Sequence, residues 1–99
     1  MQVIGKLLLQ EFWIANPGAR KPLQKWLSVV EEAEWQNWHQ LKTSFAAADL
    51  VRGNKRKLVV FNVGGNKYRL ITAVNFAGQV VIVAVVLTHK EYDKGKWKE

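Results

Sequence analysis

A short segment near the C-terminal end carries the densest set of reactive side chains in the sequence. It reads Thr88-His89-Lys90-Glu91-Tyr92-Asp93-Lys94. Histidine can accept or donate a proton near neutral pH, tyrosine can donate a proton or a hydrogen bond, and a carboxylate can orient an imidazole. His89, Tyr92 and Asp93 are therefore candidate catalytic residues. The alternative is that His89 is a surface residue and that Tyr92 only anchors the end of the chain.

The chemistry that this set suits is cleavage of RNA without a metal ion. Attack by a ribose 2′-OH needs a base for the hydroxyl, an acid for the leaving 5′-oxygen and a cation for the developing charge. Arg69 is the candidate cation. It lies in an alternating segment, Lys67 to Phe76, on the face opposite Tyr68 and Leu70. A cation on that face is either solvated or faces a ligand.

The charge of the chain favours an anionic partner. The formal net charge is +7 and the sequence pI is about 9.9. Lysine and arginine side chains that contact phosphates release counterions, which gives salt-sensitive affinity for nucleic acid. A solvated basic surface is the alternative. The candidate RNA-binding residues are Lys55, Arg56 and Lys57 with the adjacent Arg52, then Lys67, Lys90 and Lys94.

Several classes of site are excluded or disfavoured. The chain has no cysteine, which excludes disulfides, thiolate ligands and cysteine nucleophiles. His39 and His89 lie far apart without a metal-ligand spacing, so we expect neither a metal nor a cofactor. The longest apolar run, Val80 to Leu87, is far shorter than the ~20 residues of a membrane-spanning helix. With no signal peptide recognised at the start, the sequence predicts a soluble cytoplasmic protein.

Three helices are predicted in the first half of the chain. The clearest runs from about Lys21 to Ala33, with Pro22 in its first turn. Its apolar stripe has the spacing i, i+3, i+4, i+7: Leu23, Trp26, Leu27 and Val30. An earlier helix ends at Asn16-Pro17-Gly18, with its stripe at Leu8, Phe12 and Ala15. A third, shorter helix is indicated by Trp35, Trp38 and Leu41.

The second half predicts a sheet. Strands are expected at Lys57–Val63, Lys67–Phe76 and Val80–Leu87, joined by turns at Gly64-Gly65-Asn66 and Ala77-Gly78-Gln79. Val3-Ile4 can add a short strand. We therefore expect one α+β domain over residues 1–99, with N-terminal helices packed on one face of an antiparallel sheet. Trp97, in the charged C-terminal segment, is left open between a core residue and a base-stacking residue.

Two stretches resemble a known family. Phe61 to Leu70 (FNVGGNKYRL) is similar to the FNIxGNKYRL stretch of HigB-type toxins, and Thr88 to Lys94 is similar to their THxEYDK segment. HigB toxins belong to the RelE-like superfamily of bacterial toxin–antitoxin modules. The resemblance implies a small α+β mRNA interferase that cuts mRNA, commonly on the ribosome. It also implies a cognate antitoxin, for which a helix-turn-helix protein is one candidate, and contact with DNA only through that antitoxin.

The resemblance also implies roles for individual residues. Lys67 and Arg69 fall on the cationic strand positions of the family, and His89, Tyr92 and Asp93 fall on its C-terminal motif. Ala84 departs from the pattern, because the family usually has an arginine there, and Leu87 replaces a glycine. The alternative function is therefore a catalytically weak or inert relative that binds RNA or an antitoxin without cutting.

Overall fold

The computed structural model describes residues 1–53 and 55–98. Five strands form one sheet in the order β1, β5, β4, β3, β2. Their bounds are β1 (Gln2–Ile4), β2 (Asp49–Arg52), β3 (Lys57–Val63), β4 (Tyr68–Asn75) and β5 (Val80–Thr88). The strands β3, β4 and β5 pair antiparallel, as predicted. The strand β2, which was not predicted, pairs antiparallel with β3, and β1 runs parallel to β5 and makes the sheet mixed. The predicted α+β class is confirmed.

Three helices cover one face of this sheet. They are α1 (Lys6–Ala15), α2 (Arg20–Glu32) and α3 (Trp38–Ser44), and a fourth helix, α4 (His89–Asp93), follows β5 directly. Apolar side chains of α1, α2 and α3 form the main core together with residues of β3, β4 and β5. No helix within the described part of the chain is long and apolar enough to cross a membrane.

The stripe predicted for α2 is confirmed, and that of α1 is correct only in part, because Phe12 packs against the main core whereas Leu8 and Ala15 are exposed. Leu23, Trp26 and Val30 are buried on α2. On α1 the buried residue is Leu9, whereas Leu8 is 40% exposed. Because α1 is apolar at most of its positions, its sequence does not define one buried face. Trp35 is also buried, but it precedes α3 and donates its indole N–H to Ser44 Oγ at 3.1 Å.

The two faces of β4 differ as the alternation predicts. Leu70 and Thr72 are buried toward the helices, whereas Ile71 belongs to a second apolar cluster on the opposite face. That second cluster contains Leu58, Val60 and Ile71, and α4 with the following 3₁₀ turn (Lys96–Lys98) packs on it through Tyr92 and Trp97. The sheet is therefore covered on both faces at this end.

A bulge interrupts the pairing of β4 with β5. Ile71 pairs with Val85 and Thr72 pairs with Val83, so Ala84 has no partner on β4. Ala84 is exposed. The extra residue lets Val85 and Leu87 join the second cluster while Val83 and Val86 stay in the main core.

Candidate functional site

The end of β5 fixes the start of α4. A capping box joins Thr88 and Glu91: the Glu91 amide donates to Thr88 Oγ1 at 3.2 Å, and the Thr88 amide donates to Glu91 Oε1 at 3.0 Å. The His89 amide donates to the Lys67 carbonyl at 2.9 Å, which attaches α4 to the β3–β4 turn. Gly64 and Gly65 have φ values of +66° and +68° in this turn, a conformation that favours glycine. The turn and α4 therefore lie side by side.

Arg69 lies beneath Tyr92. Its guanidinium carbon is 5.4 Å from the centroid of the Tyr92 ring, within the range of a cation–π interaction. The Nη1 group of Arg69 donates to the Asn66 and Tyr68 carbonyls, each at 3.2 Å. Arg69 is only 8% exposed. The guanidinium is therefore held in one orientation and is not the solvated cation that one interpretation of the sequence allowed.

Trp97 packs on Tyr92 as well. The two rings are stacked with centroids 4.9 Å apart and an interplanar angle of 14°, and the Trp97 indole N–H donates to the Tyr92 carbonyl at 2.9 Å. Arg69 and Trp97 thus both contact Tyr92, and we call this arrangement the Arg69–Tyr92–Trp97 stack. Trp97, which the sequence left open, is a partly buried residue of the second cluster. No local sequence pattern pairs it with Tyr92.

The environment of Tyr92 raises the pKa of its phenol above the ordinary value of 10.0. Burial is the largest cause, because it disfavours the charged phenolate, and the negative charge of Asp49 acts in the same direction. Asp93 adds to the increase, whereas Arg69 opposes it. Tyr92 therefore keeps its proton at neutral pH and can serve as a donor. Asp49 is a residue that the sequence analysis missed, because β2 was not predicted.

Substitution of Asp49 by asparagine is expected to lower the pKa of Tyr92, because it removes a negative charge that disfavours the phenolate. Ultraviolet titration of tyrosinate measures this pKa, in a Tyr68→Phe background so that Tyr92 is the only tyrosine left. A Glu11→Gln variant on α1 removes a charge elsewhere and should leave the pKa of Tyr92 unchanged. An unchanged or higher pKa in the Asp49→Asn protein would contradict the assignment.

His89 and Asp93 form an exposed pair on α4. His89 Nδ1 lies 3.1 Å from Asp93 Oδ2, and the two side chains are 49% and 62% exposed. The carboxylate holds one ring nitrogen, which leaves Nε2 directed away from it and available to another group. Lys67, Lys90 and Lys94 are exposed near the same end of the sheet. The structure thus brings Arg69 and Tyr92 into contact and pairs His89 with Asp93, and the short helix α4 carries Tyr92, His89 and Asp93.

The basic hairpin between β2 and β3 lies elsewhere. Arg52 pairs with Lys57 at the start of β3, whereas Arg69 pairs with Asn62 five residues further along that strand. At about 3.4 Å for each residue, the separation along the strand is roughly 17 Å. Lys55, Arg56 and Lys57 are exposed there. The structure therefore does not bring this hairpin together with the Arg69–Tyr92–Trp97 stack.

Comparison with known proteins gives consistent matches over most of the chain. The "mRNA interferase toxin HigB" of Escherichia coli strain K12 is 51% identical over 93 residues, covering 94% of this chain and 88% of that protein. A Shigella flexneri "mRNA interferase HigB" matches to the same extent. The "mRNA interferase HigB" of Escherichia coli strain CFT073 is 29% identical over 94 residues, covering 95% of this chain and 90% of that protein.

A family profile matches a range of residues that includes the candidate site. Residues 19–95 match the HigB toxin family, described as the RelE-like toxic component of a toxin–antitoxin system. This range contains Arg69, His89, Tyr92 and Asp93. The match covers more than half of the chain and agrees with the two sequence stretches that resembled the family. The chain therefore belongs to the HigB family of RelE-like toxins.

Proposed function

We propose that this protein is an mRNA interferase, the endoribonuclease toxin of a toxin–antitoxin system, and that it cuts mRNA without a metal ion. The observation that carries the proposal is the grouping of three side chains at one end of the sheet. They are the Arg69 guanidinium, the Tyr92 phenol on top of it and the His89 imidazole three residues earlier on α4. Together they offer a cation, a proton donor and a base. The names of the HigB relatives support the same activity.

In the proposed reaction, the ribose 2′-oxygen attacks the adjacent phosphorus. His89 Nε2 takes the proton of the 2′-hydroxyl as the new O–P bond forms, and Asp93 holds the imidazole in position and stabilises its positive charge. Tyr92 gives its proton to the 5′-oxygen as the P–O5′ bond breaks. The products are a 2′,3′-cyclic phosphate and a 5′-hydroxyl, so no water or cofactor is consumed.

Electrostatics supports this division of roles. Because the pKa of Tyr92 is raised, its phenol is protonated at neutral pH and cannot act as a base. The same shift makes the phenol a weaker acid, and the positive charge of Arg69 opposes that shift. Arg69 carries its charge directly below the Tyr92 ring, where a developing negative charge on the phosphate would be stabilised. Lys67, Lys90 and Lys94, which are exposed nearby, are proposed to contact phosphates of the flanking RNA.

The proposal extends to the setting of the reaction. We propose that the ribosome presents the mRNA, that the protein acts in the cytoplasm, and that a cognate antitoxin of helix-turn-helix type holds it inactive. A net charge of +7 supports association with RNA and with an acidic partner. The basic hairpin with Lys55, Arg56 and Lys57 is proposed to bind RNA, or the ribosome, at some distance from the cut.

Substitution of His89 by alanine tests the reaction. We expect the cleavage rate to fall by about 10²–10⁴-fold, the usual contribution of a general base. The protein is induced in a bacterial host, new 5′ ends are mapped on its transcripts, and cleavage of a purified RNA is timed. His39→Ala is the matched control, since it removes the other histidine, exposed on α3, and should cleave like the unsubstituted protein.

Two outcomes would count against the proposal. Equal cleavage by the His89→Ala and His39→Ala proteins would remove His89 from the reaction. Absence of new 5′ ends with the unsubstituted protein, together with retained RNA or antitoxin binding, would favour the inert binding relative that Ala84 suggested.

A further inference from the structure

A cavity adjoins the proposed site. It has a volume of about 610 Å³ and lies beside α4 on the face of the sheet opposite α1, α2 and α3. Its lining includes Ala84, Val85, Leu87, Lys94, Lys96 and Trp97. Trp97 is shared with the Arg69–Tyr92–Trp97 stack, so the cavity begins where that stack ends. The volume is within the range of small-ligand sites.

The fold leaves this cavity open at β5. The strand β1 pairs only with Val80–Ile82, so the rest of β5 has no neighbouring strand on that side within the part of the chain described. The bulge then places Ala84, with a single methyl group, at the wall of the cavity. A larger side chain at this position would occupy part of the space. The opening therefore depends on the bulge and on a small residue at it.

The cavity combines a cationic rim with an apolar wall. Lys94 and Lys96 are exposed, and neither forms an ion pair with a carboxylate among residues 1–53 and 55–98. Glu91 also reaches the lining, but its carboxylate accepts the Thr88 amide in the capping box. Val85, Leu87 and the Trp97 indole supply the apolar wall.

We propose that this cavity is a nucleotide subsite of the RNA substrate, next to the bond that Tyr92 serves. An aromatic and aliphatic wall can pack against a base, and the two lysine ammonium groups can donate to the phosphates beside it. The inference rests on the proposed nuclease function and adds a determinant of which RNA positions are cut. An acidic protein segment is also negatively charged and is the alternative occupant of this cavity. The cavity is continuous with the Arg69–Tyr92–Trp97 stack through Trp97, which favours RNA as the occupant.

Two variants test the subsite. Ala84→Leu fills the cavity from its wall, and Lys94→Ala/Lys96→Ala removes its cations. Both are assayed on short RNA oligonucleotides that differ in the nucleotides flanking the cut. We expect Ala84→Leu to raise KM about tenfold and to weaken the preference among these RNAs. The lysine variant should also flatten the salt dependence of KM, by about 0.7 in log–log slope for each lysine that no longer meets a phosphate.

The control removes two lysines from another surface. Lys21→Ala/Lys25→Ala changes the net charge equally, but both residues lie on α2, on the other side of the sheet. Its KM and its preference should be much closer to those of the unsubstituted protein. Thermal unfolding of every variant checks that each one folds, and Ala84 is exposed, so a leucine there does not have to enter the core.

The outcomes separate the subsite from the nuclease function. If the unsubstituted protein cuts RNA, Tyr92→Phe does not, and both subsite variants keep the original KM and preference, the subsite is overturned. If those kinetics stay unchanged while the lysine variant escapes neutralisation by a co-expressed antitoxin, the cavity is a protein-docking surface and the proposal is again wrong. Absence of cleavage by the unsubstituted protein would instead overturn the nuclease function.

Discussion

Substitution of Arg69 by alanine is expected to lower the RNA cleavage rate by about 10²–10³-fold, the usual effect of removing one preorganised charge-stabilising donor. Arg69 is buried, its guanidinium is fixed by the Asn66 and Tyr68 carbonyls, and its charge lies 5.4 Å from the centre of the Tyr92 ring. Alanine removes the charge and also the surface on which Tyr92 rests. Single-turnover cleavage of a purified RNA gives the rate.

The same substitution is expected to lower the free energy of unfolding by about 1–3 kcal/mol, because two carbonyls lose their donor and Tyr92 loses a packing partner. Denaturant titration measures this decrease, and the cleavage rate is compared at conditions where each protein is folded. Arg69→Lys is the informative partner variant, since it keeps the charge but loses the planar group that packs on the ring. Cleavage rates within a factor of two for all three proteins would exclude Arg69 from the reaction.

Much of the fold could be predicted because the sequence is locally consistent. The strand Lys57–Val63 is observed with the predicted bounds, and its β-branched and aromatic residues end at a glycine turn. The helix α2 begins one residue before the predicted start, since Pro22 and the stripe of Leu23, Trp26 and Val30 define it closely. The strand β2 was missed because its sequence, DLVR, is short and its pattern is largely exposed.

The candidate site could be predicted only in part. Alternation along β4 placed Arg69 on the correct face, and the dense segment after β5 contained His89, Tyr92 and Asp93. That the Tyr92 ring covers Arg69 depends on where α4 lies against the β3–β4 turn, which no spacing within one segment reveals. Charge alone also grouped Lys55 to Lys57 with the other cations, although strand register places them at the opposite end of β3.

The bulge at Ala84 also could not be predicted from the sequence. Val83 to Leu87 is apolar at each position, so the sequence contains no alternation from which a change of register could be detected. The structure resolves the ambiguity by pairing, because Val83 and Val86 face the helices whereas Val85 and Leu87 face the second cluster. A residue that looked like part of a continuous strand thus becomes the wall of a cavity.

Substitution of Tyr92 by phenylalanine is expected to lower the cleavage rate by about 10²–10⁴-fold while the fold stays intact. Phenylalanine keeps the ring that contacts both Arg69 and Trp97, and the Tyr92 carbonyl that accepts the Trp97 indole N–H is unchanged. Only the phenolic hydroxyl is removed, so the free energy of unfolding should change by less than about 1 kcal/mol. The decrease in rate would then measure the effect of losing the proton donor and not the effect of changed packing.

Tyr68→Phe is the matched control, because it removes the other phenol from the same end of the sheet. The Tyr68 ring packs edge-on against Phe12, on the helix side, with centroids 5.5 Å apart. The Tyr68→Phe protein should therefore cleave RNA at nearly the original rate. A leaving group that needs no proton offers a second measurement: with a substrate whose 5′-oxygen is replaced by sulfur, Tyr92→Phe should recover most of its rate. Equal decreases on the oxygen and sulfur substrates would contradict the role of Tyr92 as the acid, because a thiolate leaves without protonation and its departure should not depend on the phenol.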